Sequence, residues 1–285
     1  MNRVAVVTDS IACLPKELVE RYGIYIIPIT INFGDEIYRD GIDITPSEVY
    51  RLLRKAKKLP TTSSPPPGAY LEAYRQLSQH SDSILCITMP QQISMGFDSA
   101  QQARELMKAE RPGILIEILD CQTAAGGQGF VTLAAAQAAS SGTDLGQVLE
   151  AAQRVMSRVD VVAAMDTLYY LAKGGRVPRA AAWIASILSI KPILGIRGGD
   201  IGLRERARTK PKALKRLLEI MREEVGQKPV HVIVFHSDVL DEAERLKDQI
   251  LAQFDCVEIF ITDFTPTMGV HTGPGTLGIA FYGED

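Results

Sequence analysis

Strand-like apolar runs alternate with helix-patterned segments through the first half of this chain, and no other feature restricts its fold as much. The runs at residues 4–8, 24–31, 83–88 and 114–119 are each bounded by loop-forming residues, and helical patterns follow most of them. This alternation predicts a largely parallel sheet covered by helices, an α/β architecture. The second run turns at Gly34-Asp35 into a hairpin arm through Ile37-Tyr38. Thr45-Pro46-Ser47-Glu48 predicts a helix start, with Thr45 as N-cap, Pro46 in the first helical position and Glu48 closing a capping box. An Ala-rich helix over 129–139 has little side chain to hold it away from its neighbours. Thr143 and Asp144 then cap a further helix ending near Val159.

A second unit begins at about Asp160, where 161–165 reads as a strand and the chain becomes basic and punctuated by glycine. Residues 191–196 and 201–204 flank Gly198-Gly199-Asp200, a turn that predicts an antiparallel hairpin. Helical patterns over 211–225 and 240–253, with apolar runs over 230–235, 257–261 and 277–282, add a further sheet with helices. Two domains are the natural expectation for 285 residues. They are an N-terminal α/β domain over 1–159 with a parallel sheet and a C-terminal α/β domain over 160–285 with a mixed sheet.

The 46% hydrophobic and 23% charged content is that of a soluble globular chain. No apolar stretch approaches the roughly 20 residues that span a bilayer, and Met1-Asn2-Arg3-Val4 runs into a strand instead of a signal-peptide core. A cytoplasmic protein is expected, touching a membrane surface at most transiently. Cys13, Cys86, Cys121 and Cys256 lack paired spacing, which argues for core thiols and against a disulfide framework or a metal site. The net charge of -3 hides an asymmetry: basic residues dominate from Lys173 to Arg222 and acidic ones from Glu223 to Asp285, as on a docking surface. Trp183 is the one exception to a lack of base-stacking aromatics there, so no nucleic-acid partner is expected.

Five polar segments are candidates for chemistry. Gly269-Val270-His271-Thr272-Gly273-Pro274-Gly275-Thr276-Leu277-Gly278 sets one histidine among residues too small to fill the space around it. It reads either as a small binding floor, where glycine admits a ligand close to the backbone, or as a glycine turn feeding the last strand. A dinucleotide fingerprint is rejected, because no crossover helix fits in the seven residues after Gly278. Pro60-Thr61-Thr62-Ser63-Ser64-Pro65 places four hydroxyls between prolines, in a loop that can hold an anion or simply turn. Ser94 follows an apolar strand and precedes a helix that Asp98 or Ser99 can cap, a position where ligands collect in open α/β sheets. Leu171-Ala172-Lys173-Gly174-Gly175-Arg176 aims cations from a flexed loop toward a phosphate or an acidic partner. Asp9-Ser10 ends the first strand, where it caps the helix near Pro15.

In order and spacing, Thr8-Asp9-Ser10, Thr61-Thr62-Ser63-x-Pro65, Ile93-Ser94-x-x-x-x-Ser99-Ala100, Gly174-Gly175-Arg176, Lys191-Pro192-Ile193-Leu194 and His271-Thr272-Gly273-Pro274-Gly275 resemble the DegV family of bacterial fatty-acid-binding proteins nearly end to end. The resemblance implies a two-domain DegV-like fold with a long-chain fatty acid in a tunnel between the domains. It also implies a non-enzymatic role without a cofactor, in which the lipid carboxylate is presented to a separate ATP-dependent fatty acid kinase that makes the acyl phosphate. By motif, Thr62, Ser63, Ser94 and His271 would hold the carboxylate. Gly96, Thr272 and Gly273 would line the lipid site, and Arg176 with Lys173 would meet the kinase. Two departures bear on the head group: Ser64 stands where the family has Gln, and Ile93-Ser94-Met95-Gly96-Phe97 stands for Leu-Ser-Gly-Thr-Tyr.

Two other classes use the same residues. One is a Ser/His-dependent acyl hydrolase built from Ser94 or Ser10, His271 and Asp9, although no Gly-x-Ser-x-Gly elbow occurs. The other is a phosphometabolite enzyme built on Gly174-Gly175-Arg176 and Gly198-Gly199, without a Walker loop.

Overall fold

The computed structural model describes residues 4–177, 179–180 and 190–284. Strands β1 (Val4–Asp9), β2 (Tyr25–Ile27), β6 (Ser83–Thr88) and β7 (Leu115–Asp120) form one sheet in the order β2-β1-β6-β7, with all neighbours parallel. Alternate residues of these strands face opposite sides. Val7, Ile84 and Cys86 meet α3 (Pro67–Leu77) and α4 (Gly96–Glu110), while Val6, Leu85 and Ile87 meet α5 (Gly126–Ser140) and α6 (Leu145–Met156).

The apolar run at 24–31 is two strands, not one. Pro28 offers no N–H to a ladder. β2 accordingly ends at Ile27, and β3 (Thr30–Phe33) joins β4 (Glu36–Arg39) and β5 (Thr61–Ser63) in a separate antiparallel sheet. The Ser/Thr string is therefore a strand and not a loop, and its pleat buries Thr62 while exposing Thr61 and Ser63. Thr45 and Glu48 form the expected capping box on α2 (Pro46–Leu53). Asp9 caps the single helical turn Ser10–Ala12 through the Ile11 N–H, whereas α1 (Lys16–Tyr22) starts at Pro15 without a side-chain cap.

The second half builds β8 (Asp160–Ala164), β9 (Lys191–Arg197), β10 (Asp200–Ala207), β11 (Val230–His236), β12 (Cys256–Asp263) and β13 (Leu277–Gly283) into a mixed sheet ordered β10-β9-β8-β13-β11-β12. β9 and β10 form the expected hairpin, and β11 pairs in parallel with β12. α8 (Lys210–Val225) and α9 (Leu240–Leu251) cover one face. Two short helices, α7 (Tyr169–Gly174) and α10 (Pro266–Thr272), sit at the cleft.

Between the parallel and mixed sheets runs α5. Its Phe130 shares one core with Val6 and Leu85 of the first sheet and with Ile233, Phe235 and Ala280 of the second. Small residues are required here: a Cβ on Gly129 would lie 2.4 Å from the Ala12 carbonyl oxygen. Much of the basic stretch is paired within its own lobe. Arg216 reaches Glu205 and Glu223 at 2.7 Å each, and Arg204 reaches Glu224 at 3.1 Å and Asp160 at 3.3 Å. Trp183 lies outside the described residues. All four cysteines are free, with Cys13, Cys86 and Cys121 buried. Among the described residues, no group of three or more His, Cys, Asp or Glu could hold a metal ion, and no helix is long and apolar enough to cross a membrane.

Candidate functional site

A partly open cavity lies between the two lobes. Ile11, Met89 and Ala124 line it from one side, and Val161, Phe235 and Phe264 from the other. Nearly all of its wall is apolar, and the polar lining groups are Thr62, Ser64, Arg176, Thr267, His271 and Thr272. A mostly apolar space with a few polar groups is the usual make-up of a small-molecule site.

Three short elements assemble the polar groups. β5 turns Thr62 inward, and its Oγ1 lies 2.8 Å from His271 Nε2 on α10. α7 ends at Gly174, where a Cβ would stand 2.5 Å from His271 Nδ1, so only glycine leaves room for the imidazole. Arg176 then braces the ensemble, donating from Nη2 to the Thr62 carbonyl at 2.7 Å and from Nη1 to the Gly174 carbonyl at 3.0 Å. Removal from water, and secondarily the Arg176 charge, push the His271 imidazole down to about 4, so the ring is neutral near pH 7.

The neutral ring has one proton, and its Nδ1 is buried without a hydrogen-bond partner. A buried donor left unpaired is rarer than a buried acceptor left unpaired, so we assign the proton to Nε2, which donates to Thr62 Oγ1. The Thr62 hydroxyl proton is then free to point at a ligand. Beside it, Ser64 Oγ and Ser94 Oγ are 2.9 Å apart. Ser64 Oγ also accepts the Met95 N–H at 3.3 Å, and Ser94 Oγ accepts the Gly96 N–H at 3.1 Å. One serine must donate to the other, which leaves one further hydroxyl proton. Thr62 and Ser64 both line the cavity, so Thr62 and the serine pair can each offer one hydroxyl proton to an oxygen of a carboxylate.

Several expected site residues lie elsewhere. Ser63 is exposed, and its Oγ accepts from Asn32 Nδ2 at 3.2 Å, because strand alternation turns it away from Thr62. Gly96 and Gly273 are not on the cavity wall. A Cβ on Gly96 would lie 2.9 Å from Tyr70 Oη, and one on Gly273 would lie 2.1 Å from the Tyr170 ring. The space beside these glycines belongs to tyrosines of the protein itself. Thr272 is on the wall, with its hydroxyl donating to the Met268 carbonyl at 2.8 Å. Residues Gly269 to Thr272 form the end of a helix and not a glycine loop. Lys173 is exposed, whereas Arg176 faces the cavity.

The hydrolase arrangement is not assembled: His271 Nδ1 has no carboxylate to orient it, Ser94 bonds to Ser64, and Ser10 Oγ donates to Asp40 at 2.7 Å. Neither glycine pair cradles a phosphate. Gly174 abuts His271, and Gly199 sits in a hairpin turn, donating its N–H to the Gln122 carbonyl at 2.8 Å. Two buried acids also tie the site together, of which sequence reasoning read Asp9 as a helix cap or hydrolase acid and missed Asp40. Asp9 accepts the Met89 N–H at 3.2 Å, and Asp40 Oδ2 accepts the Thr267 N–H at 3.4 Å near the start of α10. Burial pushes both carboxyls up to about 6.

The sequence profile of the DegV family, described as uncharacterised proteins, matches residues 3–284. A DegV domain-containing protein of Halalkalibacterium halodurans is 31% identical over 286 residues, covering 100% of both chains. Among solved structures, a DegV family protein of Thermus thermophilus, described by its fatty acid binding, superposes with a TM-score of 0.92 at 30% identity, covering 99% of this chain and 100% of that one. DegV of Bacillus subtilis, described as a fatty acid binding protein, gives a TM-score of 0.90 at 31% identity over 100% of both chains.

Proposed function

This chain belongs to the DegV family, and from that premise we propose that it binds one long-chain fatty acid between its lobes and presents the carboxylate to a separate ATP-dependent fatty acid kinase for acyl phosphate formation. The observation that carries the reading is the apolar interlobe cavity ending at paired hydroxyls and a neutral histidine. Burying a methylene gains about 0.8 kcal/mol, so a tail of about 16 carbons gains on the order of 10 kcal/mol before ordering and association losses. The tail drives binding, and the head group orients. Its acid sits between the Thr62–His271 pair and the Ser64–Ser94 pair.

The chemistry of the mouth suits presentation. A carboxylate locked in a bidentate guanidinium pair has its oxygen lone pairs taken up by strong donors and is a poor phosphoryl acceptor. Here the Arg176 guanidinium already donates to two backbone carbonyls. Hydroxyl donors fix the acid while leaving lone pairs for attack on a phosphoryl group. Organic extraction of the purified protein, followed by mass spectrometry, is expected to release a long-chain fatty acid, and addition of a fatty acid kinase with ATP is expected to convert it to acyl phosphate. No extractable lipid and no binding of added fatty acid would refute the reading.

A further inference from the structure

We propose that the apolar wall of the cavity is a site of methionine oxidation by bound fatty acid hydroperoxides, in which the thioethers of Met89, Met165 and Met268 take up the peroxide oxygen and leave the hydroxy acid; this rests on the fatty-acid reading above. Of the eight methionines in the chain, these three line this one cavity. They arrive from separate segments: Met89 follows β6, Met165 follows β8, and Met268 lies on α10 about one turn before His271. Met89 and Met268 pack on the same cluster of Ile11, Ile29 and Ala124. Met165 is buried. No cysteine is among the described lining residues. Burial also pushes the Cys13 and Cys86 thiols up to about 12, which keeps them protonated and unreactive near pH 7. The thioethers are therefore the reducing groups that a bound peroxide meets.

A fatty acid hydroperoxide carries its oxidant on the tail, so the apolar wall and not the polar mouth faces it. The sulfur lone pair attacks the terminal peroxide oxygen, and the O–O bond breaks. Its electron pair leaves with the oxygen that remains on the chain, which takes up the hydroperoxide proton. The peroxide is reduced to an alcohol as the thioether is oxidised to a sulfoxide. Binding holds the two reactants together and removes the entropy cost of their meeting. The outcome differs between positions. Thr276 Oγ1, itself buried, donates to Met165 Sδ at 3.7 Å and is placed to donate to a sulfoxide oxygen there. Elsewhere on the wall a sulfoxide sets a polar group among apolar neighbours, which should weaken later fatty acid binding by about tenfold. Oxidation thus marks exposure to peroxidised lipid, and a methionine sulfoxide reductase reverses it.

The test incubates the whole protein with linoleic acid hydroperoxide or, separately, with the same amount of hydrogen peroxide, and locates sulfoxides by peptide mass spectrometry. Met95, 62% exposed, is the internal reference for oxidation from solvent, and the core residues Met107 and Met221 report indiscriminate damage. Lipid hydroperoxide should oxidise Met89, Met165 and Met268 ahead of Met95, with one hydroxy acid formed per sulfoxide. Hydrogen peroxide should reverse that order. Excess hexadecanoic acid should suppress the cavity sulfoxides and leave Met95 unaffected. In the triple variant Met89→Leu, Met165→Leu, Met268→Leu, hydroxy acid formed per bound hydroperoxide should fall to the level found without protein. Each single variant should lower that yield in proportion to the sulfoxide it loses. Oxidation led by Met95 under both reagents would overturn the proposal, as would an undiminished hydroxy acid yield in the variants. Hexadecanoic acid that binds while the cavity methionines stay unoxidised would overturn this proposal alone, whereas protein that binds neither acid would overturn the fatty-acid reading itself.

Discussion

The Thr62 hydroxyl and the His271 imidazole, 209 residues apart in the chain, meet at 2.8 Å across the mouth of the interlobe cavity. One sits on a three-residue strand and the other on the last helix. Their contact therefore fixes how the small antiparallel sheet stands against the second lobe. With the ring neutral, Thr62 both satisfies the imidazole and keeps a proton for a ligand.

Thr62→Val keeps the shape and removes the hydroxyl. It should weaken fatty acid binding by about tenfold, the value of one hydrogen bond to a charged acceptor. It also leaves His271 Nε2 unpaired, which should lower stability by about 1–3 kcal/mol. Calorimetric titration and denaturant unfolding read the two effects separately. Unchanged acid affinity would remove Thr62 from the head-group site.

Gly174 and Gly175 are adjacent yet predict opposite phenotypes. Gly174→Ala would press a methyl against His271 Nδ1, where the Cβ stands 2.5 Å away, and should displace the ring and cost most of the acid affinity. Gly175 has a φ of +71° and nothing within 4 Å of its Cβ position. Gly175→Ala should lower stability by about 1–2 kcal/mol through backbone strain alone, with the intrinsic affinity kept. Equal affinity losses in the two variants would show that loop strain, not the imidazole contact, governs binding.

Much of this was legible in the chain. The parallel strands, the capping box at Thr45 and the hairpin about Gly198-Gly199 are local patterns, and local patterns survive folding. What escaped depends on partners distant in sequence. Pro28 splits a continuous apolar run because the flanking strands find different sheets. Ser63 and Ser64 are indistinguishable as a string, and only the pairing of Ile31 with Thr62 decides which hydroxyls face inward. The glycines near His271 suggested room for a ligand, but Tyr50, Tyr170 and Phe235 reach in from other elements and fill that room.

The His271 ring should titrate near 4, well below the ordinary histidine value of 6.5. Because the folded value lies below the unfolded one, the native state binds fewer protons in this window. The stability contribution of a neutral His271 is intact above about pH 6.5 and declines as pH falls toward 4. Proton NMR of the imidazole gives the midpoint directly. Arg176→Gln removes the lesser of the two causes, so the midpoint should rise while staying below 6.5, since burial persists. A wild-type midpoint near 6.5 would mean that the ring is hydrated and charged in mild acid.

Asp40 supplies a prediction of opposite sign. Its carboxylate is buried at 3% exposure, Oδ2 receives the Ser10 hydroxyl and the Thr267 N–H, and Oδ1 has no partner. Burial pushes the group up from 3.8 to about 6. The folded state thus binds the proton more tightly than the unfolded chain, and stability is lost as pH rises from about 4 to about 6, by about 3 kcal/mol for a shift of this size. Asp40→Asn removes that loss. Its amide oxygen can keep the Ser10 and Thr267 contacts, and its N–H₂ is near the unpartnered Thr265 and Thr267 hydroxyls that also surround the carboxylate. The variant should match wild type near pH 4 and exceed it by up to about 3 kcal/mol near pH 8. Denaturant unfolding at the two pH values decides the matter: a variant less stable than wild type near pH 8 would show that the negative charge, and not merely an acceptor, is needed to hold α10 in place.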